Sequence, residues 1–255
     1  MRRSLAICRH DLRVMRQDVA SLAVMIVMPV VLISFMRPVF KDVIAAAGYE
    51  GASGAEHAVP GLTLMFAMFL VSFISFSFFR EHQWGTWERL RASPARPIEI
   101  MAGKVLPSLG LMLVQMLSLF AIGRLLFGLQ VRGSVVGLVV VVFVYALFLV
   151  ALGVAITSVC KTVNQTNTLI NVGAFVLAGV GGAMAPISAL PGWIERIAPA
   201  VPTYWAMRGL RGVILEGDGL TSVIAPVLVL GAFTAAATAL ALMRFRFEET
   251  KLSWA

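Results

Sequence analysis

The sequence contains little charge for its length. Of its 255 residues only 13% are charged, while 59% are hydrophobic and the mean hydropathy is +0.89. A soluble domain has about 25% charged and roughly 45–50% apolar residues. A chain this apolar has too few polar groups to cover its own surface, so we expect lipid to be its solvent. The same composition excludes a disordered chain, a collagen, a coiled coil and a disulfide scaffold.

Acidic residues are absent from the long apolar runs. Six runs approach or exceed the roughly 20 residues with which a helix crosses the hydrocarbon core. They are 19–36, 61–79, 105–129, 135–160, 169–190 and 223–243. Uninterrupted runs indicate helices, because the strands of a membrane barrel alternate polar and apolar residues. A proton- or sodium-coupled pump usually needs an intramembrane carboxylate, so this absence disfavours secondary transport.

Residues that bind metals or nucleotides are also scarce. The two cysteines match no zinc pattern, and the three histidines are scattered over loops and termini. Gly103-Lys104 is not a Walker A motif, because Ile98 occupies its first glycine position and Val105 follows the lysine. We therefore expect no catalytic residue, no metal and no cofactor in this chain. A membrane enzyme acting on lipids is disfavoured, because no intramembrane carboxylate or histidine cluster is available for its chemistry.

The positive charges are unevenly distributed along the chain. With both termini in the cytoplasm, 14 of the 21 Lys and Arg residues face the cytoplasm and seven face outside. This asymmetry satisfies the positive-inside rule. The net charge of +8 then orients a multi-pass protein in its membrane. It is not the footprint of a nucleic-acid-binding protein.

Residues 1–18 combine arginines with regularly spaced apolar residues. Leu5, Cys8, Leu12 and Met15 recur at intervals of three and four, which places them on one face of a helix. This pattern predicts an amphipathic helix lying in the membrane interface. The alternative is that the arginines only set the topology.

The segment 80–104 is the longest and most charged connection on the cytoplasmic side. Trp84, Trp87 and Arg91 recur at helical spacing, and Ser93-Pro94 should end that helix. Ser93 or Pro97 is then expected to begin a second helix over 98–104. A short helix with exposed tryptophans suits docking into a groove on a partner. An ordinary interfacial loop with aromatic anchors is the alternative.

The segment 191–217 is too interrupted by proline to span a membrane, yet it is rich in apolar residues. We expect short re-entrant helices that dip into the outer leaflet before the last span. A loop anchored by interfacial tryptophans is the alternative.

Two stretches of the sequence resemble the ABC-2 family of ABC transporter permeases. The first is Glu81-x-x-x-Gly85-Thr86-x-Glu88-x-Leu90-x-x-Ser93-Pro94, followed by Ile98 to Ile100 and by Gly103-Lys104. The second is Gly181-Gly182-x-Met184-x-Pro186, Leu190-Pro191-x-Trp193, Pro199-x-x-Pro202-x-x-Tyr204 and Arg208-Gly209. The resemblance covers essentially the whole chain, which reads as one transmembrane domain over residues 1–255.

The resemblance implies an all-α polytopic membrane protein and the transmembrane half of an ATP-driven exporter. A second permease, the same or homologous, and two copies of an ATP-binding subunit would complete it, with ATP and Mg used by that subunit. The resemblance places five residues of the 80–104 coupling loop at the subunit contact: Glu81, Gly85, Thr86, Glu88 and Leu90. On physical grounds we add Trp84, Trp87, Arg89 and Arg91.

The resemblance also implies that the 191–217 hairpin closes the outer end of the translocation path. Its predicted gate residues are Pro191, Trp193, Pro202 and Tyr204. Few polar residues line the spans, which suits a hydrophobic or amphipathic substrate such as a drug or a lipid. The expected location is the bacterial inner membrane. A membrane scaffold or sensor subunit without a transport path is the alternative function.

Overall fold

The computed structural model describes residues 2–15, 19–46, 48–49 and 51–244. Within these ranges the chain forms eleven α-helices and no strand. They are α1 Arg2–Met15, α2 Val19–Ala46, α3 Ala55–Phe69, α4 Val71–Gln83, α5 Trp87–Arg91, α6 Pro97–Phe127, α7 Val135–Val159, α8 Val163–Val180, α9 Gly192–Ile197, α10 Pro202–Arg211 and α11 Ile224–Arg244. Three basic residues counted in the charge distribution, Arg16, Arg246 and Lys251, lie outside the described residues.

Five helical segments of the described chain are long and apolar enough to cross a membrane. They are Ala23–Ala46, Ala55–Glu81, Pro97–Phe127, Val135–Val159 and Leu220–Arg244. Their mean hydropathy lies between 2.1 and 3.1. The prediction of an all-α polytopic membrane protein is therefore confirmed.

The long helices alternate in direction between two ends of the bundle. The last turn of α4 meets the first turns of α6 where Glu81 contacts Lys104. At the other end of α6, a Cβ on Gly123 would lie 2.8 Å from Val59, near the start of α3. We call the end that holds Glu81 and Lys104 the ionic end, and the other the opposite end.

The first two apolar runs extend further than hydropathy predicts. Helix α2 continues past Met36 to Ala46, because Phe40 and Ile44, one turn apart, are both buried in the core. The guanidinium Nε of Arg37 donates to the carbonyl of Ser53 at 3.2 Å. This hydrogen bond offsets part of the free-energy cost of placing a charged side chain within the helix. The run 61–79 is preceded by an extra turn and a half, and a break at Leu70 divides it into α3 and α4.

The third span begins well before the run 105–129. Pro97 occupies the first turn of α6, where a missing N–H costs nothing, and Glu99 accepts a hydrogen bond from the Arg96 backbone N–H at 3.0 Å. The helix expected over 98–104 is therefore the start of α6 and not a separate element. Gly128, with φ of 68°, ends the helix.

Helix α8 differs most from its predicted run of 169–190. It begins at Val163, where the Thr162 side chain accepts from the backbone N–H of Gln165 at 3.2 Å, and it ends before Gly181. Its start lines a cavity beside Arg80 at the ionic end, and Gly181 lines another at the opposite end. Helix α8 therefore extends between these two cavities, although it is not one of the five apolar segments above.

Burial divides the helices into a centre and a periphery. In the most apolar part of Ala55–Glu81, 78% of residues are buried, whereas only 17% are buried in the most apolar parts of α2 and α11. Exposed apolar side chains such as Phe35, Leu228 and Leu242 cover the outer faces of those two helices. Such faces suit contact with lipid or with another membrane subunit.

Candidate functional site

A cluster of ionised side chains joins α1, α4 and α6 at the ionic end. The Nζ atom of Lys104 lies 3.0 Å from Oε1 of Glu81 and 3.6 Å from Oδ2 of Asp11. It also donates to the carbonyl oxygen of Ser77 at 3.2 Å. The Arg80 guanidinium donates to Oδ1 of Asp11 at 3.3 Å. We call these five residues, Asp11, Ser77, Arg80, Glu81 and Lys104, the ionic cluster.

The charges of the ionic cluster balance, and most of them are buried. The Lys104 side chain is fully buried, and the side chains of Asp11 and Glu81 are 3% and 11% exposed. Two carboxylates face two cations, and the Ser77 hydroxyl donates to Asp11 at 3.1 Å. Burying a charge is tolerated only when partners compensate it, so each member depends on the others. The cluster therefore fixes the relative positions of three helices.

Helix α1 approaches α6 closely beside the ionic cluster. A Cβ on Gly103 would lie 2.7 Å from the Cβ of Ile7 and 3.1 Å from the carbonyl of Ser4, so only glycine fits there. Asp11 lies one turn after Ile7, which places both on the face that packs against α6. Leu5 and Leu12 lie on an outer face and are 68% and 39% exposed. Two of the four residues of the predicted apolar stripe thus point away from the bundle, whereas Cys8 is partly buried and Met15 lines a cavity beside α4.

The turn between α4 and α5 is also bonded to the ionic cluster. The backbone N–H of Thr86 donates to the carbonyl of Glu81 at 3.0 Å, and its hydroxyl donates to the Glu81 carboxylate. Gly85 makes this turn with φ of 66°, a left-handed conformation that favours glycine. Glu81 therefore contacts both Lys104 and the start of α5.

The structure separates the nine predicted contact residues by exposure. Trp84, Gly85, Glu88 and Arg89 are exposed, and Trp84 is 57% exposed with the Arg80 guanidinium 5.3 Å from its ring centre. Thr86 and Leu90 are partly buried, and Arg91 is the last residue of α5. We call the surface formed by Trp84, Gly85, Glu88 and Arg89 the α5 ridge.

Two of the predicted contact residues point into the protein. Glu81 belongs to the ionic cluster, and Trp87 is only 3% exposed with its ring 6.3 Å from that of Phe78. Their side chains are therefore not available to a partner. The sequence did not reveal the difference between Trp84 and Trp87, because their spacing fits one continuous helix. In the structure Gly85 interrupts the helix between them.

Sequence reasoning missed Asp11, Ser77 and Lys104 as functional candidates. Gly103-Lys104 is part of the stretch that resembles the family, but the sequence assigned no contact to the Lys104 side chain. A detectable signal was present, since Lys104 immediately precedes an apolar run and Asp11 falls on the side of α1 away from Leu5 and Leu12. Their pairing across separate segments was not detectable without the fold.

The predicted gate residues divide into two pairs at the opposite end. Pro202 is buried in the first turn of α10, and Tyr204 on the same helix lines a cavity of about 370 Å³. Pro191 and Trp193 are exposed at the start of α9, and Trp193 is 62% exposed. Of the four predicted gate residues, only Tyr204 therefore lines this cavity.

A second polar contact closes one side of that cavity. The Arg211 guanidinium donates to the hydroxyl of Tyr49 at 3.0 Å, and Tyr49 donates to Oε1 of Glu216 at 3.0 Å. This joins the connection between α2 and α3 to the segment after α10. Sequence reasoning did not identify any of these three residues.

Among the described residues, no group of three or more His, Cys, Asp or Glu side chains is arranged to hold a metal ion. The ionic cluster has its carboxylates paired with lysine and arginine. Its groups can fix and transmit the position of helices, which is a mechanical role rather than a chemical one.

Comparison with known proteins identifies the family of this chain. A sequence profile described as ABC-2 type transporter matches residues 4–215. The linearmycin resistance permease protein LnrN of Bacillus subtilis is 28% identical over 199 residues, covering 77% of this chain and 51% of that protein. The probable multidrug ABC transporter permease YbhR of Escherichia coli is 29% identical over 185 residues, covering 70% and 50%.

A further relative is more distant in sequence but closer in length. The probable doxorubicin resistance ABC transporter permease protein DrrC of Mycobacterium tuberculosis is 22% identical over 201 residues, covering 78% of this chain and 72% of that protein. The chain spans about half the length of LnrN and YbhR. Since the family profile covers most of the chain and the fold is a polytopic helical bundle, this protein belongs to the ABC-2 type transporter family of membrane permeases.

Proposed function

We propose that this chain is the membrane-spanning subunit of an ATP-driven ABC exporter, and that the α5 ridge is its contact with a separate ATP-binding subunit. One observation carries the proposal. The exposed α5 ridge is bonded, through Thr86 and Glu81, to a buried ionic cluster that joins three helices. A displacement of α5 would therefore be transmitted to α1, α4 and α6 together. This chain has no ATPase site of its own in the proposal, and ATP and Mg are used by the partner.

The proposed topology places the ionic end in the cytoplasm. The excess of basic residues in the segments at that end supports this orientation. Helix α8 supplies a sixth crossing, which its run from one end of the bundle to the other supports. Both termini are then cytoplasmic, α1 lies in the inner interface, and α9 and α10 form short re-entrant helices outside. The proposed location is the bacterial inner membrane.

The proposed substrate is hydrophobic or amphipathic. The apolar character of the helices supports this class. So do the names of the relatives, which refer to linearmycin resistance, multidrug transport and doxorubicin resistance. A second permease, the same or homologous, would pair with this chain, and each would bind one ATP-binding subunit. The exposed apolar faces of α2 and α11 are compatible with such a pairing and with lipid.

The test is ATPase activity in the assembled complex. We expect the full chain, purified from membranes of its host, to co-purify with a second protein that contains a Walker A motif. Glu88→Arg should reduce the ATPase activity and the recovery of that protein, because it reverses a charge on the α5 ridge. Glu195→Arg is the matched control, since Glu195 is an exposed glutamate on α9 at the opposite end.

The scaffold alternative predicts a different result. Deletion of the gene would then leave the export of drugs and lipids unchanged and would mislocalise a partner protein. If the Glu88→Arg protein keeps its ATPase activity and its assembly, the α5 ridge is not the contact with the ATP-binding subunit.

A further inference from the structure

The cavity at the opposite end is lined by residues of two contrasting kinds. Its volume is about 370 Å³, and it lies between α2, α3, α10 and the turn after α8. Its apolar lining residues include Ile44, Ile187, Met207 and Leu215. Its polar and charged lining residues include His57, Tyr204, Arg208 and Arg211. We call it the His57 cavity.

His57 lines this cavity and carries an unpaired ring nitrogen that is itself buried. The residue is 6% exposed, its ring lies 4.8 Å from that of Phe40, and its Nε2 has no hydrogen-bond partner among the described residues. Buried polar side-chain atoms are paired in the large majority of cases, so an unpaired one needs an explanation. The atom has almost no accessible surface, so it is an uncompensated polar group beside the cavity and not a contact for a ligand.

Arg211 offers a second incompletely paired group in the same cavity. Its Nε lies 3.4 Å from Oε1 of Glu216 but is buried without an aligned hydrogen bond. One of its Nη atoms donates to Tyr49 at 3.0 Å. A guanidinium carries five N–H donors, so these two contacts do not exhaust it.

The charge of the cavity wall favours an anionic ligand. The lining holds two guanidinium groups, Arg208 and Arg211, and one carboxylate, Glu216, so it carries a net charge of one positive unit. Glu216 pairs with Arg211, and the Arg208 guanidinium lies 5.3 Å from the ring centre of Trp205. Guanidinium groups bind phosphate and carboxylate oxygens with strong, charge-assisted hydrogen bonds. The apolar lining residues suit a hydrocarbon chain on the same molecule.

We propose that the His57 cavity binds an anionic amphiphile, with its phosphate or carboxylate head against Arg208 and Arg211 and its apolar part against Ile187 and Leu215. The proposal deepens the export function by naming the chemical class of its ligand, and in that sense rests on it. The ligand is a transported amphiphile or an anionic lipid of the membrane, since both present the same acidic head.

The experiment uses the full chain in phosphatidylcholine nanodiscs and three photoreactive probes with one chain length. The probes are dodecyl phosphate, dodecanol and dodecyltrimethylammonium, each carrying a diazirine, and labelled peptides are mapped by mass spectrometry. We expect dodecyl phosphate to label peptides around Ile187 and Leu215 with saturation. The alcohol and the cation should label them without saturation.

Two variants and one control test the charged lining. Arg208→Gln and Arg211→Gln should each raise the concentration of dodecyl phosphate needed for half-saturation, by about tenfold. Arg196→Gln is the control, because Arg196 is an exposed arginine on α9 that does not line the cavity. Labelling that is equal for the three probes, or equal in Arg208→Gln and Arg196→Gln, would overturn the proposal.

Competition separates the two sources of the acidic head. If phosphatidylglycerol in the nanodisc displaces the probe, the ligand is a membrane lipid, and if it does not, the ligand is a transported amphiphile. Inorganic phosphate should not compete, because it lacks the apolar part. This assay contains no ATP and no ATP-binding subunit, so its failure leaves the ATPase test of Glu88→Arg untouched, and the reverse also holds.

Discussion

The Nζ atom of Lys104 lies 3.0 Å from Oε1 of Glu81, and this contact joins the first turns of α6 to the last turn of α4. Lys104 also faces Asp11 of α1, so one buried cation holds two carboxylates from different helices. Glu81 in turn contacts Thr86 at the start of the α5 turn. This sequence of contacts is the physical basis for transmission from the α5 ridge into the bundle.

Removing the cation should destabilise the protein strongly. Lys104→Met leaves Asp11 and Glu81 buried with Arg80 as their remaining cation, and breaking a buried pair costs about 3–5 kcal/mol. Thermal unfolding in nanodiscs measures the loss. Arg89→Met is the control, since Arg89 is exposed on the α5 ridge. Equal unfolding temperatures for the two variants would contradict the role of the ionic cluster.

Adding Glu81→Gln to Lys104→Met should restore part of the lost stability. The double variant removes one of the two carboxylates that the methionine leaves without its lysine partner. If the double variant were less stable than Lys104→Met, Glu81 would stabilise the protein through contacts other than the one with Lys104.

The two tryptophans of the α5 region should respond differently to truncation. Trp87→Ala removes a buried ring packed on Phe78 and should lower the free energy of unfolding by about 3–5 kcal/mol. Trp84→Ala removes an exposed ring, so we expect a change within about 0.5 kcal/mol. Trp84→Ala should instead lower the ATPase activity of the complex. Calorimetry and ATPase assays on both variants separate the two effects.

The close approach of α1 to α6 should tolerate only glycine. Gly103→Val would place its Cβ 2.7 Å from Ile7, and overpacking of this kind costs typically about 1–3 kcal/mol. Gly110→Val, on the same helix with nothing within 4 Å, is the control for the helix propensity of valine. Adding Ile7→Ala to Gly103→Val should recover part of the loss, and no recovery would place the strain elsewhere. Thermal unfolding of the unchanged protein, the two glycine variants and the double variant tests this.

A second glycine contact positions the turn after α8. A Cβ on Gly61 would lie 2.1 Å from the carbonyl oxygen of Ala183, so Gly61→Ala forces α3 away from this turn. We expect a loss of about 1–3 kcal/mol in the free energy of unfolding. Gly173→Ala in α8, where nothing lies within 4 Å, should be neutral or stabilising. A Gly61→Ala protein as stable as Gly173→Ala would contradict the contact.

The sequence predicted much of the fold and only part of the candidate site. Hydropathy located the centres of the long helices, and the spacing of Ser93, Pro94 and Pro97 separated α5 from α6. Their ends were less predictable, because α2 continues past Arg37 once Phe40 and Ile44 are buried. The polar first turns of α8 likewise join the helix through a cap at Thr162.

The amino-acid sequence by itself determined that this is a multi-pass membrane protein, and its loop and hairpin motifs indicated the family. Both are local properties, since hydropathy and motifs depend on residues that are neighbours in the chain. Only the tertiary structure decided that Lys104 pairs with Asp11 and Glu81, that Trp87 is buried while Trp84 is exposed, and that His57 and Arg211 share a cavity. These relationships depend on how each helix is rotated and packed against segments far away in the chain, and no local pattern specifies that rotation.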